Sequence, residues 1–350
     1  MSLNKRIISG KKPLGPAGFR ALLFTGNGGS QTVTGMGFQP DIVWIKDRDT
    51  AYQHNIYFSS GGTGTAGWAL EPSGTTAKYS LQGLTGFNSD GFVLGSNNGN
   101  NQNSSPNVAY GWKINEYTTS SDVVQGNTDG TITTNYLQAN TELGISTFTY
   151  TGTGSAGTLG HGLNSAPEFV TIKTTSHTSD WPVYHKDLTS ASYRMVFNTT
   201  AAENTDNNPW NGTAPTSSVI SIGNSGNTIE NGRTFICWAM HSVDGFSKFG
   251  QYTGNYSTSG PTVDLGFNPA FVLIRRQDSA DNGYIFDSAR HEDTNNNLAL
   301  FPNNNNGESV GNLGNGLTFL SNGFQVVSTD SGINANNGKY VYMAFADNGD

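Results

Sequence analysis

The stretch Gly37-Phe38-Gln39-Pro40-Asp41-Ile42-Val43-Trp44-Ile45-Lys46 decides the fold of this chain. Its second half is apolar at both odd and even positions, whereas a strand with one solvated face alternates apolar and polar residues. A run that is apolar on both faces predicts a strand buried between two layers, as in the core of a β-sandwich. The glycine-aromatic-x-proline signal before it is typical of a turn that leads into such a strand.

The same pattern occurs three times along the chain. An aromatic-Thr-Gly triplet comes first, a proline follows 16 or 17 residues later, and an apolar strand then ends in a basic residue. The triplets begin at Phe24, Tyr150 and Tyr252, and the prolines are Pro40, Pro167 and Pro269. Closing strands follow 71 to 76 residues after the prolines, and they centre on Trp112, Trp238 and Phe345. Spacing kept over such a length indicates one domain present in three copies.

The repeat divides the chain into five parts. These are a basic N-terminal arm (1–18), copy 1 (19–117), a connector (118–145), copy 2 (146–242) and copy 3 (243–350). The connector contains a β-like run, and we expect it to pair at the edge of copy 2. Since only a few residues join copies 2 and 3, we expect these two to pack rigidly. The pattern of short strands and turns predicts an all-β protein of three tandem antiparallel β-sandwiches, jelly-roll-like, with few and short helices.

The composition excludes several classes of protein. The net charge of −8 disfavours nucleic-acid binding, which needs a basic surface. The hydrophobic share of 34% supplies packed cores, unlike the composition of disordered proteins. No apolar run approaches the ~18 residues of a membrane helix, and the start of the chain lacks the apolar core of a signal peptide. We therefore expect no membrane insertion and synthesis in the cytoplasm.

No group of residues has the spacing of a catalytic or metal site. Carboxylates occur in every copy, but none recurs with a partner at fixed spacing, as the pair of a glycosidase would require. The segment His177–Asp187 holds metal-ligand types without a zinc signature, and Asp278–Gly283 lacks the ligand pattern of an EF-hand loop. Cys237 lies between apolar residues, which favours an inert buried thiol. We predict that the chain is not an enzyme and has no cofactor, and calcium binding stays open.

The basic residue that ends each apolar strand also recurs, as Lys46, Lys173 and Arg275. Two interpretations are open. The residue could contact a ligand in all three copies, or it could be a strand end whose stem is covered while its charge reaches solvent. We favour the second interpretation.

Aromatic residues in polar, loop-like contexts are the other candidates for contacts. Exposed aromatic side chains stack on sugars and anchor protein interfaces, although some of these residues would instead belong to the core. The candidates for ligand or interface contacts are Tyr52, Tyr57, Trp68, Tyr184, Trp210 and Tyr284.

The basic arm is the candidate for attachment. Its charges are Lys5, Arg6, Lys11 and Lys12, with no acidic residue among them. Such a segment is either a frayed terminus or a tether that docks on an acidic partner. A frayed terminus is the commoner case, but three copies without another anchor must be attached to something, so both interpretations stay open.

Several of these motifs resemble a repeat of tailed-bacteriophage structural proteins, many of them marine. The resemblance rests on the stretch 37–46 together with Phe87-Asn88-Ser89-Asp90-Gly91-Phe92 and Ala109-Tyr110-Gly111-Trp112-Lys113 in copy 1. It extends through Trp181-Pro182-Val183-Tyr184-His185, Gly245-Phe246-Ser247-Lys248-Phe249-Gly250 and Tyr340-Val341-Tyr342-Met343-Ala344-Phe345. It implies a virion component associated with the tail or its fibres, and it implies no catalytic residues.

The sequence and the resemblance together lead to one expectation and two alternatives. We expect a bacteriophage virion protein, tail-fibre-like or projecting from the particle, which contacts host surface polysaccharide or neighbouring subunits. We expect it to bind other virion proteins through the arm and to form homo-oligomers, trimers if it is a fibre. The alternatives are a capsid decoration or connector protein that binds only virion proteins, and a polysaccharide depolymerase.

Overall fold

The computed structural model describes residues 18–346, apart from 60–67, 81, 116–123, 291–294, 297, 310–312 and 314–315. Copy 1 contains β1 (Phe19–Thr25), β2 (Gln31–Thr34), β3 (Ile42–Asp47), β4 (Asn55–Phe58), β5 (Leu84–Asn88), β6 (Gly91–Leu94), helix α1 (Asn98–Asn101) and β7 (Pro106–Trp112). The connector and copy 2 contain β8 (Thr134–Asn140), β9 (Ile145–Thr151), β10 (Gly157–Gly160), β11 (Phe169–Thr174), β12 (Pro182–His185), β13 (Met195–Val196), β14 (Val219–Ile222) and β15 (Thr234–Met240). Copy 3 contains β16 (Ser247–Thr253), β17 (Thr262–Asp264), β18 (Pro269–Arg276), β19 (Gly283–Asp287), β20 (Asn295–Asn296), β21 (Leu317–Leu320), β22 (Gly323–Val326), helix α2 (Ser331–Asn334) and β23 (Lys339–Ala346).

Each copy has a main sheet with the same strand order. The order is β1-β7-β3-β4 in copy 1, and the same four positions are β9-β15-β11-β12 in copy 2 and β16-β23-β18-β19 in copy 3. All of these pairs are antiparallel. A smaller sheet covers one face of each main sheet, namely β2-β6-β5, β10-β14 or β17-β22-β21-β20. The prediction of an all-β fold of antiparallel sandwiches is confirmed, since strands make up 43% and helices 3% of the structure.

The strand that decides the fold is buried on both sides, as its pattern predicts. Val43 and Ile45 pack on the smaller sheet of copy 1. Ile42 and Trp44 point the other way, into a cluster that contains residues of all three copies. All four side chains are 0% exposed. The corresponding strands β11 and β18 divide their apolar side chains between two cores in the same way.

The three main sheets share one central core, which consists largely of aromatic side chains. Trp112 of copy 1 lies in its middle, with its ring centroid 5.2 Å from that of Trp238 in copy 2 and 5.7 Å from that of Phe345 in copy 3. The closing aromatics of the three repeats therefore meet. Packing of copies 2 and 3 is confirmed, and copy 1 packs with both of them. Each copy supplies only one wall of this core.

The copies follow one another in a closed cycle. The contact lies near the basic residue that ends the apolar strand of each copy. The carbonyl oxygen two residues after that basic residue accepts a backbone N–H from a loop of the preceding copy. These hydrogen bonds join Lys78 to Thr175 (3.1 Å), Glu203 to Gln277 (2.9 Å) and Glu308 to Arg48 (2.7 Å). Copy 1 thus contacts copy 2, copy 2 contacts copy 3, and copy 3 returns to copy 1. Such head-to-tail contacts close a ring when the rotation between units permits it.

The connector supplies an edge strand to copy 2, as predicted. Strand β8 pairs with β9 from Thr134 opposite Tyr150 to Asn140 opposite Ile145. The ladder is interrupted between Asn135 and Gln138, where Tyr136 has a φ of 51°. With β8 at one edge and β13 at the other, copy 2 has a six-stranded main sheet, whereas those of copies 1 and 3 have four strands among the described residues.

Helices are confined to two single turns, α1 and α2, among the residues that the structure describes. In each, an Asn or Asp at the N-cap accepts the N–H of a glycine two residues later, which satisfies one of the free donors of the turn. In the described part of the chain, no helix is long and apolar enough to span a membrane.

Candidate functional site

The basic strand ends lie between the copies and are buried, so the expectation that their charges reach solvent is wrong. Lys46 and Lys173 are 0% exposed and Arg275 is 7% exposed. The ammonium of Lys173 donates to the Thr75 carbonyl of copy 1 at 2.8 Å. The guanidinium of Arg275 donates to the Ala201 carbonyl of copy 2 at 2.9 Å. Lys173 and Arg275 thus link neighbouring copies, whereas the Lys46 ammonium donates to the Asp47 and Thr50 carbonyls of its own copy. All three side chains point toward the central core, because side chains alternate faces along a strand.

Burial lowers the pKa of each of these cations. The pKa of Lys46 and that of Lys173 both fall from 10.5 to about 8, and that of Arg275 falls to about 10. Desolvation is the main cause in all three cases, and nearby acidic residues such as Glu308, Asp180 and Asp281 oppose it.

Three clefts follow from the cyclic arrangement. We call them the first cleft (copies 1 and 2), the second cleft (copies 2 and 3) and the third cleft (copies 3 and 1). The last residue of β4, β12 or β19 faces the next copy in each cleft. That residue is Phe58 in the first cleft, His185 in the second and Asp287 in the third, opposite Ile42, Phe169 and Phe271 in their sheets. Equivalent positions thus carry an apolar, a titratable and an acidic side chain.

The first cleft is filled with aromatic rings. Phe58 packs on Trp68 at 6.5 Å and on Trp238 at 6.3 Å between ring centroids. Trp181 of copy 2 donates its Nε1–H to the Glu71 carbonyl of copy 1 at 2.9 Å. Lys78 lies over the Trp68 ring at 5.3 Å from its centroid, a favourable cation–π contact.

The third cleft is closed by a buried charge network. Asp287 accepts hydrogen bonds from the Tyr110 hydroxyl of copy 1 at 2.8 Å and from Arg290 at 2.5 Å. Glu308 forms a bidentate pair with Arg48 of copy 1, at 2.7 and 3.0 Å. Burial disfavours the Arg290 cation, but Asp287, Tyr110 and Glu308 together outweigh this effect and raise its pKa above the ordinary value. The network joins copy 3 to copy 1 and leaves the Arg290 charge compensated.

The second cleft contains a small pocket of about 40 Å³, partly open to solvent. Its walls are apolar and come from both copies; they include Phe169, Val183, Val196, Phe197, Leu273 and Met343. His185 lines it and donates Nε2–H toward the Tyr342 carbonyl at 3.2 Å, while its Nδ1 accepts the Asp187 N–H. Burial lowers the pKa of His185 to about 4, so the ring is neutral at pH 7. Among the described residues this pocket is the candidate functional site.

The aromatic residues predicted to make contacts are mostly in the cores, not in loops. Tyr57, Tyr184 and Tyr284 lie in strands β4, β12 and β19 and are buried, and Trp210 is 1% exposed. Their hydroxyl or ring contacts are internal, as in the 2.6 Å hydrogen bond between Asn100 and the Tyr57 hydroxyl.

Two of the predicted aromatics, Tyr52 and Trp68, are half-buried and retain accessible surface. Tyr256, which the sequence patterns did not single out, is 61% exposed and has a φ of 54° in the turn after β16. Its setting within Gly254-Asn255-Tyr256-Ser257 is the signal that could have identified it, because these residue types form exposed turns.

The segments considered for metals have other roles in the structure. His177 is exposed and His185 lies in the second cleft, so the two are not brought together. Asp278 pairs with Arg276 at 2.9 Å, and Asp281 accepts the Tyr284 hydroxyl at 2.9 Å. Across the described ranges, no group of three or more His, Cys, Asp or Glu side chains could hold a metal ion.

Cys237 is confirmed as a buried thiol. It is 0% exposed and burial raises its pKa well above 9. The thiolate is therefore suppressed at neutral pH, which leaves the side chain inert. The arm residues Lys5, Arg6, Lys11 and Lys12 lie outside the described residues.

Comparison with known families places the chain. The profile of a family described as a domain of unknown function (DUF7483) matches residues 16–349. The chain belongs to this family. The match spans all three copies, so the DUF7483 unit is the whole three-copy body and not one sandwich. None of the curated proteins matches the chain.

Proposed function

We propose that this DUF7483 chain is a structural protein of a bacteriophage particle, tail-fibre-like or projecting, which contacts host surface polysaccharide or neighbouring subunits. The observation that supports it most is the continuous central core, because a protein that must hold a fixed shape in an assembly benefits from domains without hinges. The resemblance of its motifs to repeats of tailed-phage proteins supplies the biological setting.

The experiment is to image purified particles that carry a label on this chain. Label at the tail or its fibres supports the proposal, and label confined to the capsid shell contradicts it. A particle without any label removes the virion setting altogether. The same preparation gives the copy number, which tests the proposed homo-oligomer.

Contact with polysaccharide is tested with the accessible aromatics. Purified chain is incubated with host cells, and adsorption of the wild type is compared with that of Tyr52→Ala and Tyr256→Ala. Stacking on a sugar makes adsorption fall by roughly five- to tenfold for the contacting residue. Val124→Ala, at another exposed apolar side chain, serves as the control. Equal adsorption of all four proteins contradicts a sugar contact at these residues.

A capsid decoration or connector protein is the second candidate. The observation that favours it is the burial of Tyr57, Tyr184, Trp210 and Tyr284, which leaves few aromatic side chains for a sugar. Label on the capsid shell together with unaltered adsorption would select it. A depolymerase is the third candidate, and release of oligosaccharide from host polysaccharide is its test.

Attachment through the basic arm belongs to the same proposal. Deletion of 2–17 keeps Gly18, whose carbonyl accepts the Lys113 N–H at 2.9 Å and begins the β1–β7 pairing. We expect the truncated protein to fold but to be absent from particles. Replacement of the four arm cations by glutamine separates the role of charge from that of length. Normal incorporation of the deletion variant contradicts the tether.

A further inference from the structure

The turn that follows the first strand of each copy contains one residue in a left-handed conformation. The residue is Gly28 in copy 1, with a φ of 72°, and Gly154 in copy 2, with a φ of 75°. In copy 3 it is Tyr256, with a φ of 54°. The three positions are equivalent, because each lies two residues after the glycine of the aromatic-Thr-Gly triplet. A tyrosine therefore stands where the other copies have glycine.

The backbone at this position forms the same hydrogen bond in all three copies. The N–H donates to a carbonyl oxygen in the segment before the closing strand, in the pairs Gly28 to Asn101 (2.8 Å), Gly154 to Ile229 (2.7 Å) and Tyr256 to Asn334 (3.0 Å). Glycine adopts a left-handed conformation freely, whereas the conformation is strained for a bulky side chain. The tyrosine thus adds strain and no further backbone bond.

The Tyr256 ring lies outside the cores. The residue is 61% exposed, more than the other exposed large hydrophobic residues of the described chain, Leu23 (39%) and Val124 (49%). It belongs to none of the hydrophobic clusters formed by the described residues. Packing within the molecule therefore does not compensate the strain, and the ring is open to a ligand.

The loop that carries the ring is held by Asn334, which is 0% exposed. Its Oδ1 accepts the Asn255 N–H at 2.8 Å, and its Nδ2 donates to the Ser257 carbonyl at 2.9 Å. The residues on both sides of Tyr256 are thus fixed to one buried side chain. Such pre-organisation reduces the conformational entropy that is lost when a ligand binds.

The surroundings of the ring are polar and uncharged. The loop 254–261 contains no charged residue. Thr258 and Ser259 are exposed, and so are Asn336 and Asn337 on the turn that bonds to the start of the loop. The centre of a protein interface usually combines several apolar side chains. A single ring among amides and hydroxyls instead suits a ligand that has an apolar face and a rim of hydroxyl groups.

We propose that Tyr256 and the loop 254–261 bind a neutral hexopyranose unit, whose apolar face stacks on the tyrosine ring. The exposed amides and hydroxyls around the ring supply hydrogen bonds to the sugar hydroxyls. The site specifies where the chain contacts host polysaccharide, and in this respect it rests on the proposed function. Sugar binding by the purified chain needs no particle, so its failure is distinct from a failure of the virion setting.

The test uses the full chain and uncharged probes, the methyl pyranosides of glucose, galactose, mannose and N-acetylglucosamine. Saturation-transfer NMR should show saturable binding of at least one of them. Sorbitol is the negative probe, because this open-chain polyol has hydroxyls but no flat apolar face. No saturable binding of any pyranoside, or equal binding of sorbitol, overturns the proposal.

Variants at the left-handed position locate the site. Tyr256→Gly gives copy 3 the residue of the other copies, and pyranoside binding should fall by roughly five- to tenfold because the stacking is lost. The midpoint of thermal unfolding should not fall, since glycine suits a φ of 54°. Tyr256→Phe keeps the ring and should bind within about twofold of the wild type. Asn207→Gly, at another exposed residue with a positive φ (59°), is the control and should bind normally.

Three results contradict the site. Unchanged binding by Tyr256→Gly would show that the sugar binds elsewhere. A lower unfolding midpoint of that variant would show that the ring supports the fold. Loss of incorporation into particles without any sugar binding would show that Tyr256 contacts a protein instead of a sugar.

Discussion

At the scale of the residue, one equivalent position gives each interface its own chemistry. Phe58, His185 and Asp287 face aromatic rings, a backbone carbonyl and a tyrosine hydroxyl, respectively. A buried carboxylate in the place of Phe58 would lack a partner, and this mismatch costs several kcal/mol. The three clefts are consequently not interchangeable.

The charge network of the third cleft leads to a prediction for stability. Asp287→Asn leaves the Arg290 guanidinium, which is 0% exposed, without its main counter-charge. We expect a loss of roughly 3–5 kcal/mol in the free energy of unfolding, measured by urea denaturation. Asp278→Asn removes a partly exposed pair with Arg276 and should change stability by less than about 1 kcal/mol. Similar losses in both variants would show that the buried network has no special role.

The neutral histidine of the second cleft leads to a prediction for pH. Its folded-state pKa of about 4 lies below the ordinary 6.5, so the unfolded chain binds more protons between these values. The stability that depends on neutral His185 is therefore present above pH 6.5 and is lost as the pH falls toward 4. Between pH 7 and pH 5 the loss due to this residue is about 2 kcal/mol.

His185→Phe, which copies Phe58, removes this titration. Urea denaturation at pH 7 and pH 5 should show a smaller fall in unfolding free energy for the variant than for the wild type. The remaining fall comes from other groups, including His54 and His161, whose pKa values burial also lowers. An equal fall in both proteins would contradict a neutral His185 in the folded state.

At the scale of the element, the hairpins β5–β6 and β21–β22 each need a glycine at the start of their second strand. The backbone of the neighbouring edge strand lies too close to that position for a side chain. Gly91 begins β6 with a φ of 153°, and a Cβ there would lie 2.1 Å from the Val33 carbonyl oxygen. Gly323 begins β22 in the same way, with Val263 as its neighbour. The backbone of the edge strand occupies the space that a side chain would need, so the hairpin and the edge strand must separate to accept one.

Gly91→Ala should therefore destabilise the protein by roughly 1–3 kcal/mol. Gly86 lies in the adjacent strand β5, where a Cβ would be in ordinary contact with Val93 at 3.7 Å. Gly86→Ala is the matched control and should alter stability by less than about 1 kcal/mol, since alanine also restricts the unfolded chain. Thermal unfolding of the three proteins provides the comparison, and an unaffected Gly91→Ala protein would refute the steric argument.

At the scale of the whole molecule, the central core makes the three copies one cooperative unit. Separation of the copies would expose Trp112, Trp238 and Phe345, and burial of each large aromatic side chain contributes about 1.5–3 kcal/mol or more. We expect the intact chain to unfold in one calorimetric transition. Three separate transitions would show that each sandwich is stable alone.

Excised copy 1 provides the complementary measurement. A fragment of residues 18–117 presents Phe19, Trp44 and Trp112 to water, because the other copies cover that face in the full chain. We expect this fragment to self-associate or to bind a hydrophobic dye in solution, in contrast to the full chain. A monomeric fragment with native-like cooperative unfolding would contradict the shared core.

The repeat, the strand type and the all-β fold follow from the sequence alone, because apolar periodicity and turn residues act locally. The apolar run Val43-Trp44-Ile45 specifies a strand with two buried faces, whichever part of the chain covers each face. The tertiary structure alone decides that one of these faces meets other copies, that Lys46 is buried, and that the second cleft contains a pocket. The physical reason is that the burial of a charge and the contact of Trp112 with Trp238 depend on residues distant in the chain, whose proximity no local pattern encodes.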